Sequence, residues 1–361
     1  MPGAVAGPPA RWEKPMVANA KKRESRFKKN VKVCTNWASI TREFDQLPKP
    51  TSRRDEEGEE YHQGWIFRGH KRETYRLEPS IERAYPYLGW EEAEYKILRE
   101  FKSKARMHID PTQIPQAEDK LGWLAIMQHY GAPTRLLDFT YSPYVALYFA
   151  VRNRRNEQGS SAEVWGIDGA ALWGQAAKTG READKKVRER RGSSIEGHRA
   201  LIRTENAAST TSGRTRTSSS WRHSATLKLE SLASSLQLAK QEDKFLDTLV
   251  GHALDPCGVC RTHFDQNGFV SMALPTVQNS RLSSQQGVFL FSGAENLRFE
   301  QSLEFMMQDV TKQWYKRFRV PEKALEEIEE QLFQLNIHDL SLFPDIEGLA
   351  GFVRQKTRLH W

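Results

Sequence analysis

No stretch of this sequence is apolar over anything near the roughly 20 residues that a bilayer crossing takes. Its opening, MPGAVAGPPARWEKP, lacks the basic, apolar and small-residue order of a secretory leader. A cytoplasmic protein without a membrane partner is therefore the expectation. Cysteine is scarce as well: three in 361 residues, an odd number that makes no disulfide framework and suits a reducing compartment. Internal repeats are absent, which removes solenoids and propellers from consideration. What is present, 38% hydrophobic and 10% aromatic residues, suffices for a sizeable core.

The formal net charge is +8 with a pI near 9.3, but the excess is uneven. Residues 1–32 hold nine Lys or Arg against two Glu, and residues 178–222 hold twelve against five acidic residues. These two segments together exceed the total, so the rest of the chain is mildly acidic. Any electrostatic attraction to nucleic acid belongs to these segments rather than to the folded body. Residues 1–30, rich in Ala, Pro, Gly and Lys without hydrophobic period, are expected to form a disordered basic arm. Residues 178–222, which include STTSGRTRTSSS, are expected to be a mobile low-complexity insertion within a main domain spanning residues 31–361.

Hydrophobic periodicity places the elements. Trp37, Ile40, Phe44 and Leu47 recur at helical spacing behind Thr35 or Asn36 as a cap, before a charged loop from Pro48 to Glu60. Helices are expected over 90–107 and 117–130, from Ser142-Pro143 through Val151, and from Pro321 with Leu325, Ile328, Leu332 and Leu335 on one face. A last helix holds Leu349, Phe352 and Val353, and regular structure is expected over 242–251. Strands are expected at 64–67, 135–139, 162–167, 269–274 and 287–291, with another ending at Phe318 and Val320. Strands scattered among helices without regular alternation indicate an α+β fold, a central mixed or antiparallel sheet flanked by helices.

Three blocks hold polar groups that could do chemistry. In Trp65-Ile66-Phe67-Arg68-Gly69-His70 an apolar strand ends in Arg and Gly. That arrangement delivers a planar guanidinium suited to phosphate or carboxylate, and the Gly admits a close neighbour. A salt-bridged Arg near a turn fits the same pattern. In the segment from Gln128 to Thr140, the polar residues His129, Thr134, Arg135, Asp138 and Thr140 sit among Leu136, Leu137 and Phe139, so they must pair with one another or with a ligand. Mutual bridging of Arg135 and Asp138 is one outcome. In the third block, Arg281-Leu282-Ser283-Ser284-Gln285-Gln286-Gly287, paired amides approach a strand, where they can orient hydroxyls or satisfy a neighbouring loop.

Together these blocks resemble the FRG domain, through Phe67-Arg68-Gly69, QHYGAPTRLLDFTYSPYVALYFA and RLSSQQGVFLF. The ending LFPDIEGLA also resembles that family's C-terminal helix. The order of an Arg on an early strand, a Thr in a middle motif and a Gln beside a late strand is in turn similar to ADP-ribosyltransferases of the Arg-Ser-Glu type. That similarity implies an ADP-ribosyltransferase-like fold, a nucleotide ligand, NAD as substrate and no metal. It also implies catalytic positions at Arg68, Thr134, Asp138, Gln285 and Gln286, with Phe67, Gly69, His129, Tyr130, Arg135 and Thr140 around the ligand. Bacterial toxin or defence settings fit the family.

Here an amide stands where that type uses a glutamate, which an amide cannot replace as a negative charge; Asp138, Glu300 or Glu304 could supply it instead. A non-catalytic nucleotide or nucleic-acid binding module is the alternative. A third reading is a hydrolase using His129 as base and Asp138 as its orienter. Separately, His252, Cys257, Cys260 and His263 contain the Cys-x-x-Cys spacing of zinc knuckles, crowded into twelve residues.

Overall fold

The structure is a computed structural model that describes residues 27, 30–49, 51–54, 60–86, 90–154, 157, 159–208, 253–254, 258–275, 280–311 and 313–359. Nine strands are described: β1 (Val31–Val33), β2 (Thr51–Arg54), β3 (Glu60–Gln63), β4 (Trp65–His70), β5 (Leu137–Thr140), β6 (Ala162–Asp168), β7 (Val270–Ala273), β8 (Gly287–Ser292) and β9 (Tyr315–Val320). The α-helices are α1 (Trp37–Asp45), α2 (Ser80–Ala84), α3 (Trp90–Ala105), α4 (Lys120–His129), α5 (Pro143–Val151), α6 (Gly169–Ala208), α7 (Gly258–Asn267), α8 (Ser280–Ser284), α9 (Phe299–Met306), α10 (Leu325–Gln334), α11 (Asp339–Leu342) and α12 (Ile346–Arg358). Seven strands form one sheet in the order β1-β9-β6-β4-β5-β8-β7, and β2 and β3 form a separate hairpin. Among the described strands, only β1 and β9 run parallel in the large sheet. This is the α+β class with a mixed sheet.

Alternation along the strands separates two cores. Trp65 and Phe67 of β4 face a cluster with Phe44, Val145, Tyr148, Phe318 and Ile328, while Ile66 faces the larger cluster with Leu124, Trp165 and Phe299. Full burial of a residue such as Ile66 or Leu124 contributes about 1.5–3 kcal/mol, so the sheet is held from both sides. Side-chain caps set the helix starts. Asn36 accepts from the Ser39 amide at 2.8 Å, Asp119 from the Gly122 amide at 2.8 Å and Ser142 from the Val145 amide at 3.3 Å.

Several sequence expectations need revision. The basic arm lies outside the described residues apart from Phe27 and Asn30. Phe27 is nonetheless buried, edge-on to Trp165 at 5.3 Å and to Tyr315 at 5.2 Å, so the packed body reaches further toward the N-terminus than Val31. The basic segment from Lys178 is helical as far as Ala208, continuing α6. Leu172, Ala176, Ala183 and Val187 make a buried stripe at helical spacing that its charge-rich composition concealed. Residues 209–222 and the expected element at 242–251 lie outside the described residues. The charged loop after Pro48 contains the β2–β3 hairpin. The last helix departs most: Leu349 and Val353 are exposed, whereas Gly348, Gly351 and Gln355 are buried.

Candidate functional site

β4 does not end at Phe67, as its apolar run suggests. It continues to His70, paired along its whole length with β6, whereas toward β5 its register reduces to one pair, Phe67 with Thr140. From Arg68 onward the two strands diverge and the sheet opens into a notch. Arg68 spans the gap, its Nη1 donating to the Asp138 carbonyl at 2.6 Å in place of a ladder bond. The adjoining Gly69 packs against α5, where any side chain would collide with the Ala146 carbonyl oxygen. The three residues thus divide the work: Phe67 anchors one core, Arg68 bridges the notch, and Gly69 admits a helix backbone.

A cavity of about 930 Å³ occupies the notch, within the size range of small-molecule sites. Among the described residues, five cationic side chains line it, Arg68, Lys71, Arg76, Arg83 and Arg281, against the carboxylates of Glu78 and Asp138; Leu137, Phe289 and Phe343 supply apolar wall. Asp138 is the more open carboxylate, its side chain 60% exposed, with Oδ2 3.8 Å from Arg68 Nη1. Gln128 Nε2 donates to that same Oδ2 at 3.0 Å and to the Leu136 carbonyl at 3.2 Å. The Thr134 hydroxyl donates to Gln128 Oε1, so a Thr134–Gln128–Asp138 chain fixes the carboxylate. Thr134 also holds α2 in place, because its amide donates to Ser80 Oγ at 3.0 Å and its carbonyl accepts from the Ile81 amide at 3.1 Å. That staple brings Arg83 to the cavity.

Electrostatics distinguish this cluster from ordinary surface charge. Burial lowers the Arg68 guanidinium below its usual range; Asp138 offsets this and Arg83 adds to it. It stays protonated, since arginine does not give up its proton in proteins. His70, buried beside it, accepts from Arg68 Nε at 3.3 Å. Burial first, and then the Arg68 charge, push its imidazole down to about 3, so it is a neutral acceptor at physiological pH. His129 is likewise lowered, by burial and then by Arg281. An excess of guanidinium over carboxylate groups on the described wall makes the cavity a place where an anion is stabilised.

The structure brings Arg68, Asp138, Gln285, His129 and Thr140 to the cavity wall, together with Phe67 and Gly69. Thr134 is wholly buried beneath Gln128. Arg135 is buried too, paired with Glu94 at 2.5 Å and not with Asp138, and lies over the Trp90 ring at 4.7 Å. Tyr130 lines a different, apolar hollow with Ile97 and Phe101. Gln286 takes a left-handed turn, φ +47°, and presents its carbonyl to the Tyr141 amide. The Gln285 side chain donates to the Leu342 carbonyl at 3.0 Å while its own carbonyl accepts from Thr140 Oγ1 at 2.7 Å, so the late amides staple strands and α11 together.

Glu300 stands outside the cavity, accepting from the Leu77 amide at 2.7 Å and from Arg76 Nε at 3.1 Å. Of the zinc-knuckle set, His252 and Cys257 lie outside the described residues. His263 Nδ1 meets Lys186 Nζ at 2.8 Å, and no cluster of three or more metal-ligating side chains occurs among the described residues. Arg83, Arg76 and Lys71 escaped sequence reading because they follow the Phe-Arg-Gly strand without period or motif. Arg281 stood in plain view inside the third block.

Fold and site together define an α+β chain with a cation-lined notch in a split sheet. The FRG domain family model matches residues 63–159, which run from the end of β3 past α5 and contain Arg68, Arg83, Gln128 and Asp138, so this span of the chain is similar to that domain. The Gln285 block and α12 fall outside the matched span. No curated protein and no solved structure matches the chain. No helix among the described residues is long and apolar enough to cross a membrane.

Proposed function

We propose that the notch binds a phosphate-bearing nucleotide, with NAD as its substrate, and acts on the glycosidic bond in the manner of an ADP-ribosyltransferase or NAD glycohydrolase. The observation that carries this reading is the convergence of Arg68 and Arg83 on a roomy cavity whose open carboxylate is Asp138. The guanidiniums would take the pyrophosphate in two-point fashion. Asp138, fixed by Gln128, would face the ribose carbon as positive charge develops there. In that step the carbon–nitrogen bond breaks, its electron pair leaves on nicotinamide, and the oxygen of water or another acceptor bonds to the ribose carbon and loses its proton to solvent.

The test is nicotinamide release from NAD by the full chain, with Arg68→Ala and Asp138→Asn alongside. Turnover lost in both variants while the fold persists supports the proposal; a folded wild type that neither binds nucleotide nor releases nicotinamide overturns it. A second reading, a nucleotide-binding module without turnover, is favoured by one observation: the Gln285 amide is already engaged with Leu342, and among the described residues no glutamate stands at the late position of the cavity. Binding of NAD without nicotinamide release would select it. Nucleic-acid contact through residues 1–32 belongs to this second reading, and its signature is salt-dependent retention that disappears when those residues are deleted.

A further inference from the structure

α12 is built inside out. Ile346, Leu349 and Val353 stand 77%, 44% and 55% exposed at spacings of three and seven residues, which places them on one helical face. Exposed Ala350 and Thr357 continue that face. The opposite face binds the body of the protein through one aromatic ring, Phe352, and through glycines and Gln355. Phe352 stacks on Phe333 at 5.6 Å, Gln355 Nε2 donates to Glu329 Oε1 at 3.2 Å, and Gly351 sits so close to the Asp339 carboxylate that a side chain there would collide with it. An amphipathic helix that turns its aliphatic stripe to solvent has its partner elsewhere.

We propose that this partner is a second copy of the chain, with the two α12 helices packed antiparallel about a two-fold axis near Ala350. The pattern beside the stripe identifies the occupant. Glu347 and Arg354 are both exposed, lie seven residues apart on the same flank, and sit on either side of Ala350. An antiparallel copy sets Glu347 of each chain against Arg354 of the other, so one axis forms the pair twice. It also opposes the acidic start of the helix, Asp345 and Glu347, to its basic end, Lys356 and Arg358, and runs the two helix dipoles head to tail. A parallel arrangement would instead juxtapose like charges. Small Ala350 at the axis lets the backbones approach. Arg281, now 3.5 Å from Glu347, keeps its nearer partner Asp345 at 3.0 Å when Glu347 turns to the second copy. One helix per subunit makes a small interface, so the dimer is concentration-dependent.

Sedimentation velocity of the full chain over a concentration series tests this. The wild type is expected to shift from monomer toward dimer, and Val353→Glu to remain monomeric with an unchanged melting temperature, because the position is exposed. Glu347→Arg and Arg354→Glu should each raise the dimer dissociation constant by about tenfold or more. The combined swap should restore association, since it rebuilds both pairs with reversed polarity. A wild type that stays monomeric at the highest attainable concentration overturns the proposal, whether or not another segment covers the stripe. So does a dimer indifferent to Val353→Glu, or a double swap no better than the single ones.

Discussion

Two arginines of the matched domain, Arg135 and Arg68, look alike in the sequence and live in opposite environments. Arg135 is 4% exposed, bridged to Glu94 at 2.5 Å and covered by the Trp90 ring. Burial alone would lower it, but Glu94, with Glu91 and Glu295 further off, holds it above its ordinary value. Arg68 has a backbone carbonyl as its short partner, a carboxylate at 3.8 Å, and the repelling charge of Arg83 nearby. A cation whose counter-charge is built in holds the fold together; a cation left beside another cation, facing a cavity, is available to a ligand.

Removing the built-in pair should have the largest effect. Arg135→Ala leaves the buried Glu94 carboxylate without its cation, holding only the backbone amide of residue 135, and is expected to cost about 3–5 kcal/mol in urea denaturation; a loss below about 1 kcal/mol would erase the contrast between the two sites. Arg68→Ala should weaken nucleotide binding by about 10- to 100-fold, equivalent to 1.5–3 kcal/mol for a hydrogen bond to a charged group. Its denaturation midpoint should fall by less than that of Arg135→Ala, since only the bonds to the Asp138 carbonyl and His70 are lost, as calorimetry and urea titration on one preparation would show. Gly69→Ala pushes a methyl group against the Ala146 carbonyl, for an expected loss of about 1–3 kcal/mol. That loss should be larger than for Gly174→Ala, where a methyl group meets no neighbour.

The last effect is a pH slope. The folded His70 imidazole titrates near 3 against an ordinary value of 6.5, so between these values the unfolded chain binds a proton that the fold refuses. The contribution is fully present above about pH 6.5 and is lost as pH falls toward 3, at no more than roughly 1.4 kcal/mol per pH unit. His70→Gln should flatten the stability profile in that window; an unchanged profile would mean that His70 is not held neutral beside Arg68.

Much of the frame was legible because local chemistry and tertiary role agree there. Asn36, Ser142-Pro143 and the apolar periods of α4 and α10 mark their elements whatever surrounds them. The convergence of Arg68, Asp138 and Gln285 could be anticipated from three polar blocks set in apolar context. What stayed hidden depends on partners distant in sequence. That Arg135 belongs to Glu94 rather than to Asp138 follows from where α3 packs, and no spacing reports it. The notch itself arises because β4 keeps its ladder to β6 while losing that to β5, so Arg68 lies within a strand although the apolar run stops before it. Thr134 and the late amides carry the right chemistry for a ligand, yet they serve loops and α2, a distinction drawn only by which hydrogen bonds are already made. Arg83 reaches the site through the Ser80–Thr134 staple, which links residues 54 positions apart.

The central claim is that the Arg68 guanidinium, unlike that of Arg135, serves a ligand. Calorimetric titration of the folded full chain with NAD, comparing wild type with Arg68→Ala, tests it most directly. Saturable binding by the wild type is expected, weakened at least about tenfold in a variant that remains folded. Equal affinity in the two proteins, or no binding by a folded wild type, would contradict it.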